Sequence, residues 1–167
     1  MCGGRPTGQR RAQPWMGDVM VKRVLVVIAM VLTALGAGAP AAHAEVRAFP
    51  VHLAPTGDPD GSGFAIVRID PDRGLVCYSV VVRNIDAPTE PAPGIGSAHI
   101  HGPLPATGIK IDLDTVFRET GTSTYIARDC LSVDSDTIDA VLANPELFYF
   151  NVHNAPFPGG AIQGSLG

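Results

Sequence analysis

The sequence has few basic residues. From Glu45 to the C-terminus it holds seven lysines and arginines against 15 aspartates and glutamates, a formal charge of −8. An acidic surface of this kind repels the phosphate backbone of nucleic acids, which argues against DNA or RNA as a partner. Anionic membrane surfaces are disfavoured for the same reason.

The common catalytic motifs are missing as well. The sequence has no His-Glu-x-x-His and no glycine loop of the type that cradles phosphate. Residues 94–98 are Gly-Ile-Gly-Ser-Ala, which is not a G-x-S-x-G nucleophile elbow, because the last glycine is absent and a strand is expected to follow. A hydrolase that uses another arrangement of residues is an alternative for which the sequence offers no support. These absences favour a non-catalytic binding or structural module over an enzyme.

No apolar run is long enough for a stable membrane span, which needs about 20 apolar residues. The longest, residues 24–32, follows a basic pair and leads to Ala-His-Ala at 42–44. This pattern predicts a secretory signal peptide over residues 20–44, cleaved between Ala44 and Glu45, with no membrane span left after cleavage. The protein is then secreted, periplasmic or held at the cell surface. A retained signal anchor is the alternative.

Residues 1–19 show no periodicity, and we interpret them as an extension or a mis-assigned start, because translation can also begin at Met20. Removal of the leader leaves residues 45–167. This length suits one domain with its own core and is too short for two.

Cysteines are few. Cys2 falls in the removed segment, so Cys77 and Cys130 remain. In an exported protein two cysteines normally pair, and closing this loop is worth about 4 kcal/mol in the chain-entropy model. Two free buried thiols are the alternative.

What the sequence does have is a series of short β-branched and aromatic runs separated by Gly/Pro turns, which is typical of strands. One short helix is expected, capped by Asp134 or Ser135 and ended by Asn144-Pro145. Seven or eight strands with one helix predict an all-β fold, an antiparallel β-sandwich of immunoglobulin-like or Greek-key type. The expected strands are residues 46–53, 64–69, 75–83, 98–102, 109–114, 122–127, 148–153 and 161–166.

For three of these strands the sequence also predicts the position in the sheet or the side that is buried. Residues 46–53 contain a proline and are expected at a sheet edge. Residues 75–83 are crowded with β-branched side chains and are expected to be central and covered on both faces. Alternation in residues 109–114 places Ile109, Ile111 and Leu113 towards the core.

The histidines are the main candidates for chemistry. His99 and His101 alternate with apolar residues, so both side chains lie on one face of a strand. The same alternation places Tyr149, Asn151 and His153 on one face of a later strand. We expect the three histidines to meet. His52, on the first strand, is expected to be an ordinary surface residue.

Imidazole is the commonest neutral metal ligand, and three imidazoles with water or a carboxylate suit Zn²⁺ or Cu²⁺. Asp112 is the candidate for a further ligand or for an acceptor that orients an imidazole, a role also open to Tyr149 and Asn151. The alternative is a purely structural network in which the histidines bond to backbone carbonyls, Tyr149 or Asn151. Residues alone do not decide between the two.

The motifs together resemble a known family, the CHRD domain, which is repeated in the animal regulator chordin and occurs singly in many exported bacterial proteins. Departures from its pattern are Gln163, where arginine is frequent, and Ala161, where an acidic residue is frequent. The resemblance covers about residues 47–166. It is carried by Ala98-His99-Ile100-His101-Gly102, Gly108, Asn144-Pro145, Tyr149-Phe150-Asn151-Val152-His153-Asn154 and the segment 157–166, which contains Pro-Gly-Gly-Ala-Ile-Gln-Gly.

The resemblance implies a single exported domain whose sandwich is similar in outline to copper/zinc superoxide dismutase. We consider two functions for this sequence. The first is a non-catalytic module that binds an extracellular protein or glycan, especially through the proline-rich loop at residues 84–96. The second is a copper or zinc site on His99, His101 and His153, with dismutase-like activity as its further extension.

Overall fold

A computed structural model describes residues 44–113 and 115–167. The predicted extension and all of the predicted signal peptide except Ala44 lie outside the described residues. The described part forms nine strands, one helix α1 (Ser135–Ala143) and a single 3₁₀ turn (Pro145–Leu147). The strands are β1 (Arg47–Pro55), β2 (Ser62–Asp70), β3 (Leu75–Arg83), β4 (Ala98–His101), β5 (Ile109–Asp112), β6 (Arg118–Gly121), β7 (Thr124–Ser132), β8 (Tyr149–Asn154) and β9 (Phe157–Ser165).

The strands form one continuous antiparallel sheet in the order β5-β4-β8-β9-β1-β2-β3-β7-β6. Strand β1 belongs to both halves, since it pairs with β2 along Arg47 to Leu53 and with β9 at Ala54 and Pro55. The sheet curls so that the two halves enclose one core, where the rings of Tyr78 on β3 and Phe150 on β8 lie 6.5 Å apart. The all-β, sandwich-like prediction is confirmed, with one strand more than the upper estimate.

Strand β1 is at an edge only for part of its length. The residues up to Leu53 pair with β2 alone, as predicted for a strand that carries Pro50. Its last two residues also join β9, so the strand links the two halves of the sheet. The predicted span stopped before these two residues.

Two burial predictions were wrong. Strand β3 is central, but only the face carrying Val76, Val80 and its other even-numbered residues is buried, while Ser79 on the other face is exposed. Ile109 is 42% exposed instead of inward. The cause is a register shift between Ile100 and His101, which breaks the alternation of β5 at its first residues.

Cys77 and Cys130 form the predicted disulfide. They face each other directly across β3 and β7. The bridge therefore lies in the half of the sheet that does not carry the three histidines.

Helix α1 begins as predicted, because the Asp134 carboxylate accepts a hydrogen bond from the Thr137 backbone N–H at 2.9 Å. It is a nine-residue helix that ends at Ala143, is capped by Asn144, and packs Ile138 and Val141 into the core. Within residues 44–113 and 115–167, no helix has the length and apolar character needed to cross a bilayer.

Candidate metal centre

Neighbouring strands β4 and β8 carry the three histidines. In their antiparallel register His99 lies opposite Asn151 and His101 opposite Tyr149, while the His153 backbone N–H donates to the Ser97 carbonyl at 2.9 Å. Opposed residues point to the same side of a sheet. The predicted common face is therefore confirmed.

The three imidazoles come together. One ring nitrogen from each histidine lies within 4.8 Å of the others. The shortest separation, 3.1 Å, joins Nε2 of His153 to Nδ1 of His99. His99 is fully buried and His153 is 4% exposed. The ring of His101 is partly exposed, yet its Nε2 atom is buried.

Backbone carbonyls fix how two of the rings present their nitrogens. Nδ1 of His101 lies 2.8 Å from the Thr107 carbonyl, and Nδ1 of His153 lies 2.9 Å from the Pro158 carbonyl. A carbonyl only accepts, so both Nδ1 atoms donate a proton. In the neutral rings, Nε2 then carries a lone pair, which is the state that a metal ligand needs.

Two nitrogens of the cluster have no partner. His153 Nε2 accepts from the Nδ1–H of His99, which leaves Nε2 of His99 as a lone pair. This atom and Nε2 of His101 are buried and make no hydrogen bond among the described residues. Leaving a buried polar atom unsatisfied costs about 1–3 kcal/mol. Such atoms are uncommon in folded proteins, and here two of them lie in one cluster.

Electrostatics keep the cluster neutral. Burial lowers the pKa of His99 to about 4, the positive charge that His153 and His101 can carry adds to the lowering, and the negative charge of Asp112 opposes it. Burial also lowers the pKa of His153, against the hydrogen bond to Pro158. Both rings are therefore unprotonated near pH 7, as metal binding requires.

Asp112 lies beside the cluster. It faces His99 across β4 and β5, and both of its carboxylate oxygens accept the Gly96 backbone N–H, at 3.1 and 3.2 Å. The group of potential ligand atoms within 4.8 Å of one another, sought among the described residues, consists of the three histidines and does not include this carboxylate.

Tyr149 and Asn151 flank the histidines on β8. The Tyr149 ring stacks on His101 with centroids 5.1 Å apart and planes 7° from parallel, which holds the imidazole in place. The Asn151 side chain is buried beside Gly160, and its Oδ1 atom has no partner among the described residues. A Cβ at position 160 would lie 2.6 Å from that oxygen. Glycine at this position therefore leaves the room that the amide occupies.

Sequence reasoning found the three rings and missed what orients them. The carbonyls of Thr107 and Pro158 belong to turns, and a backbone acceptor has no side-chain signature that a motif search can detect. His52 is exposed, with its ring against Phe64, and stays apart from the cluster, as predicted.

The family model of the CHRD domain matches residues 42–166. This range contains all nine described strands and the three clustered histidines. No curated protein and no solved structure matches the chain.

Proposed function

The chain belongs to the CHRD family, and we propose that it is an exported, non-catalytic member that holds a zinc or copper ion on His99, His101 and His153. The carrying observation is the buried, partnerless Nε2 atom of His101, which lies in one cluster with the ring nitrogens of His99 and His153. A bound ion would accept this lone pair and remove the cost of leaving it unsatisfied.

A purely structural role explains less of the cluster. Hydrogen bonds to Thr107 and Pro158, together with the stacking of Tyr149, account for the Nδ1 atoms and the ring orientation. They give no role to the remaining Nε2 lone pair of His101. The same carbonyl bonds are what a metal site needs, because they direct Nε2 inwards and raise its basicity.

The separations fit one ion after a small adjustment. Two nitrogens that bind the same zinc ion at about 2.0–2.1 Å lie about 3.3 Å apart in tetrahedral geometry. The 3.1 Å between Nε2 of His153 and Nδ1 of His99 is already close to that value, and binding by both atoms requires Nδ1 to give up the proton that it now donates. The widest separation, 4.8 Å, has to close by about 1.5 Å. Three neutral nitrogens suit Zn²⁺ and Cu²⁺ better than calcium or magnesium, which prefer oxygen.

Metal analysis of the full chain, expressed without an affinity tag, tests this proposal. Protein stripped with a chelator and dialysed against Zn²⁺ or Cu²⁺ should retain one equivalent. His101→Ala should lose affinity by well over tenfold, since even the loss of an outer-shell partner costs about 10–100-fold. His52→Ala is the matched control and should retain one equivalent. Wild-type protein that takes up no stoichiometric metal would overturn the proposal.

Export is supported by the disulfide, because such bridges persist in oxidising compartments. The test is the mass of the protein recovered outside the cytoplasm. Cleavage between Ala44 and Glu45 should give a chain that begins at Glu45 and has lost two hydrogens to the bridge. A cell-associated chain that retains residues 20–44 would show that the segment is an anchor.

Binding of an extracellular protein or glycan through residues 84–96 stays a prediction. Most of this loop is exposed, and it is tied to β8 by the hydrogen bond from the Thr89 N–H to the His153 carbonyl at 3.1 Å. Capture from the native cell surface at physiological salt, with the loop shortened in a control variant, is the experiment. Equal recovery of partners by both chains would count against this role.

A further inference from the structure

We infer that the metal held by the three histidines keeps one coordination position for a small inorganic anion, and that the anion reaches it from the side of His101. The inference rests on the proposed metal site and names its additional ligand. Three features support it: the charge of the cluster, the hydrogen bonds that the nearest carboxylate already accepts, and the unequal burial of the three rings.

The described ligand set brings no negative charge. All three ligands are neutral imidazoles, and no carboxylate or thiolate belongs to the cluster among the described residues. Asp112, beside the cluster, offers one negative charge, so a divalent ion would still keep an uncompensated positive charge between two buried rings. Holding charge in a site of low dielectric is costly unless a counter-charge is close. An anion bound to the metal supplies that counter-charge at the shortest possible distance.

The coordination number of zinc also leaves a position for an anion. Zinc sites with three protein ligands leave a fourth position to water or substrate. The candidate protein ligand for that position is Asp112, whose two oxygens already accept the Gly96 N–H. Moving this carboxylate onto the metal would give up a contact that ties the start of β4 to β5.

The access route is set by burial. His99 has no exposed surface and His153 is 4% exposed, whereas the His101 ring is partly open to solvent. Thr107 and Tyr149, which both contact the His101 ring, also line an open groove. A ligand that enters past one imidazole has to be small, which selects an inorganic anion over a peptide or a sugar.

Azide titration of the Cu²⁺-loaded full chain tests the inference, because azide coordination to copper produces a charge-transfer absorption band. Wild type and His52→Ala should both show a saturable band at one azide per copper. Cu²⁺ added to the Zn²⁺-loaded chain should release one zinc as the band grows, because copper binds nitrogen ligands more tightly than zinc, and this ties the band to the same site without any mutation. Asp112→Asn should also show one azide per copper, at an equal or lower azide concentration, because a nearby negative charge is lost.

Each outcome is decisive. One bound copper with no azide response, in wild type and in Asp112→Asn alike, overturns the inference and leaves the metal site standing. An azide response that appears in Asp112→Asn and not in the wild type shows that the Asp112 carboxylate fills the position, and it also overturns the inference. Failure to bind Cu²⁺ overturns the inference, and failure to bind Zn²⁺ as well refutes the proposed metal site itself.

Discussion

Nε2 of His153 lies 3.1 Å from Nδ1 of His99, although 54 residues separate them in the chain. The contact exists because β4 and β8 pair with His99 opposite Asn151, which brings His153, the next residue on that face of β8, beside the same ring. In the metal-free protein the two nitrogens share a proton. An ion bound by both would take the place of that proton.

We expect metal to raise the thermal stability of the protein. A ligand that binds only the folded state, at 100 times its Kd, adds about 2.7 kcal/mol, or about 10 °C in Tm for a domain of this size. Calorimetry with and without Zn²⁺, followed by addition of EDTA, measures the effect. The shift should vanish in His101→Ala and persist in His52→Ala. An equal shift in both variants would mean that zinc binds elsewhere.

Acid should destabilise the metal-free protein between about pH 6.5 and pH 4. The folded-state pKa of His99 is about 4 against an ordinary value of 6.5, so in this window the unfolded chain binds a proton that the folded chain excludes. Stability attributable to His99 is therefore complete above pH 6.5 and falls as the pH decreases. His153, whose pKa is also lowered by burial, acts in the same direction.

Urea denaturation from pH 7.5 to pH 4 in the presence of a chelator measures this dependence. Asp58 contributes with the opposite sign, because burial raises the pKa of its carboxyl. Comparison with His99→Gln separates the two. The variant should show a shallower loss of stability than the wild type. Identical slopes would contradict the role assigned to His99.

Gly160→Ala should destabilise the protein, and Gly159→Ala should not. At position 160 the backbone φ is +128°, and a Cβ would lie 2.6 Å from Oδ1 of Asn151. Such backbone strain in a residue with a side chain costs about 1–3 kcal/mol, before any clash. A Cβ at position 159 has no heavy atom within 4 Å. Urea unfolding of the two variants checks the contrast, and equal losses would contradict it.

Loss of the disulfide should lower the free energy of unfolding by about 4 kcal/mol in the chain-entropy model, because the bridge closes a loop over a sequence separation of 53. The double variant Cys77→Ser and Cys130→Ser, unfolded in urea beside the oxidised wild type, measures this. Metal stoichiometry of the folded variant should be unchanged, since the bridge joins β3 and β7 while the ligands lie on β4 and β8. Loss of metal binding in a folded variant would show coupling between the two regions.

The sequence predicted those features that local pattern determines. Alternation alone places His99 and His101 on one face, and the Asp134 cap followed by an apolar stripe identifies the helix. That His153 meets them required only that the two strands pair in the same sheet. The disulfide followed from the count of cysteines in a chain predicted to be exported.

Features that depend on where distant segments come to lie escaped prediction. The crowded β-branched residues identified β3 as a strand. They did not show whether other elements cover one of its faces or both. Alternation placed Ile109 inward because the register shift at the end of β4 leaves no mark in the sequence. The carbonyls of Thr107 and Pro158 reach the histidines only once their turns are folded.

Strand β1 connects the disulfide-bearing and histidine-bearing halves through two residues, Ala54 and Pro55, which pair with Gln163 and Ile162 of β9. The backbone N–H groups of Thr56, Gly57 and Asp58 extend this junction by donating to the Ala161 carbonyl. Among the described strands, β1 alone pairs with both halves, so an adjustment of β4, β8 and β9 around an ion leaves the pairing of the crosslinked strands unchanged. Amide exchange on loading with metal should then slow in one half of the sheet and stay constant in the other.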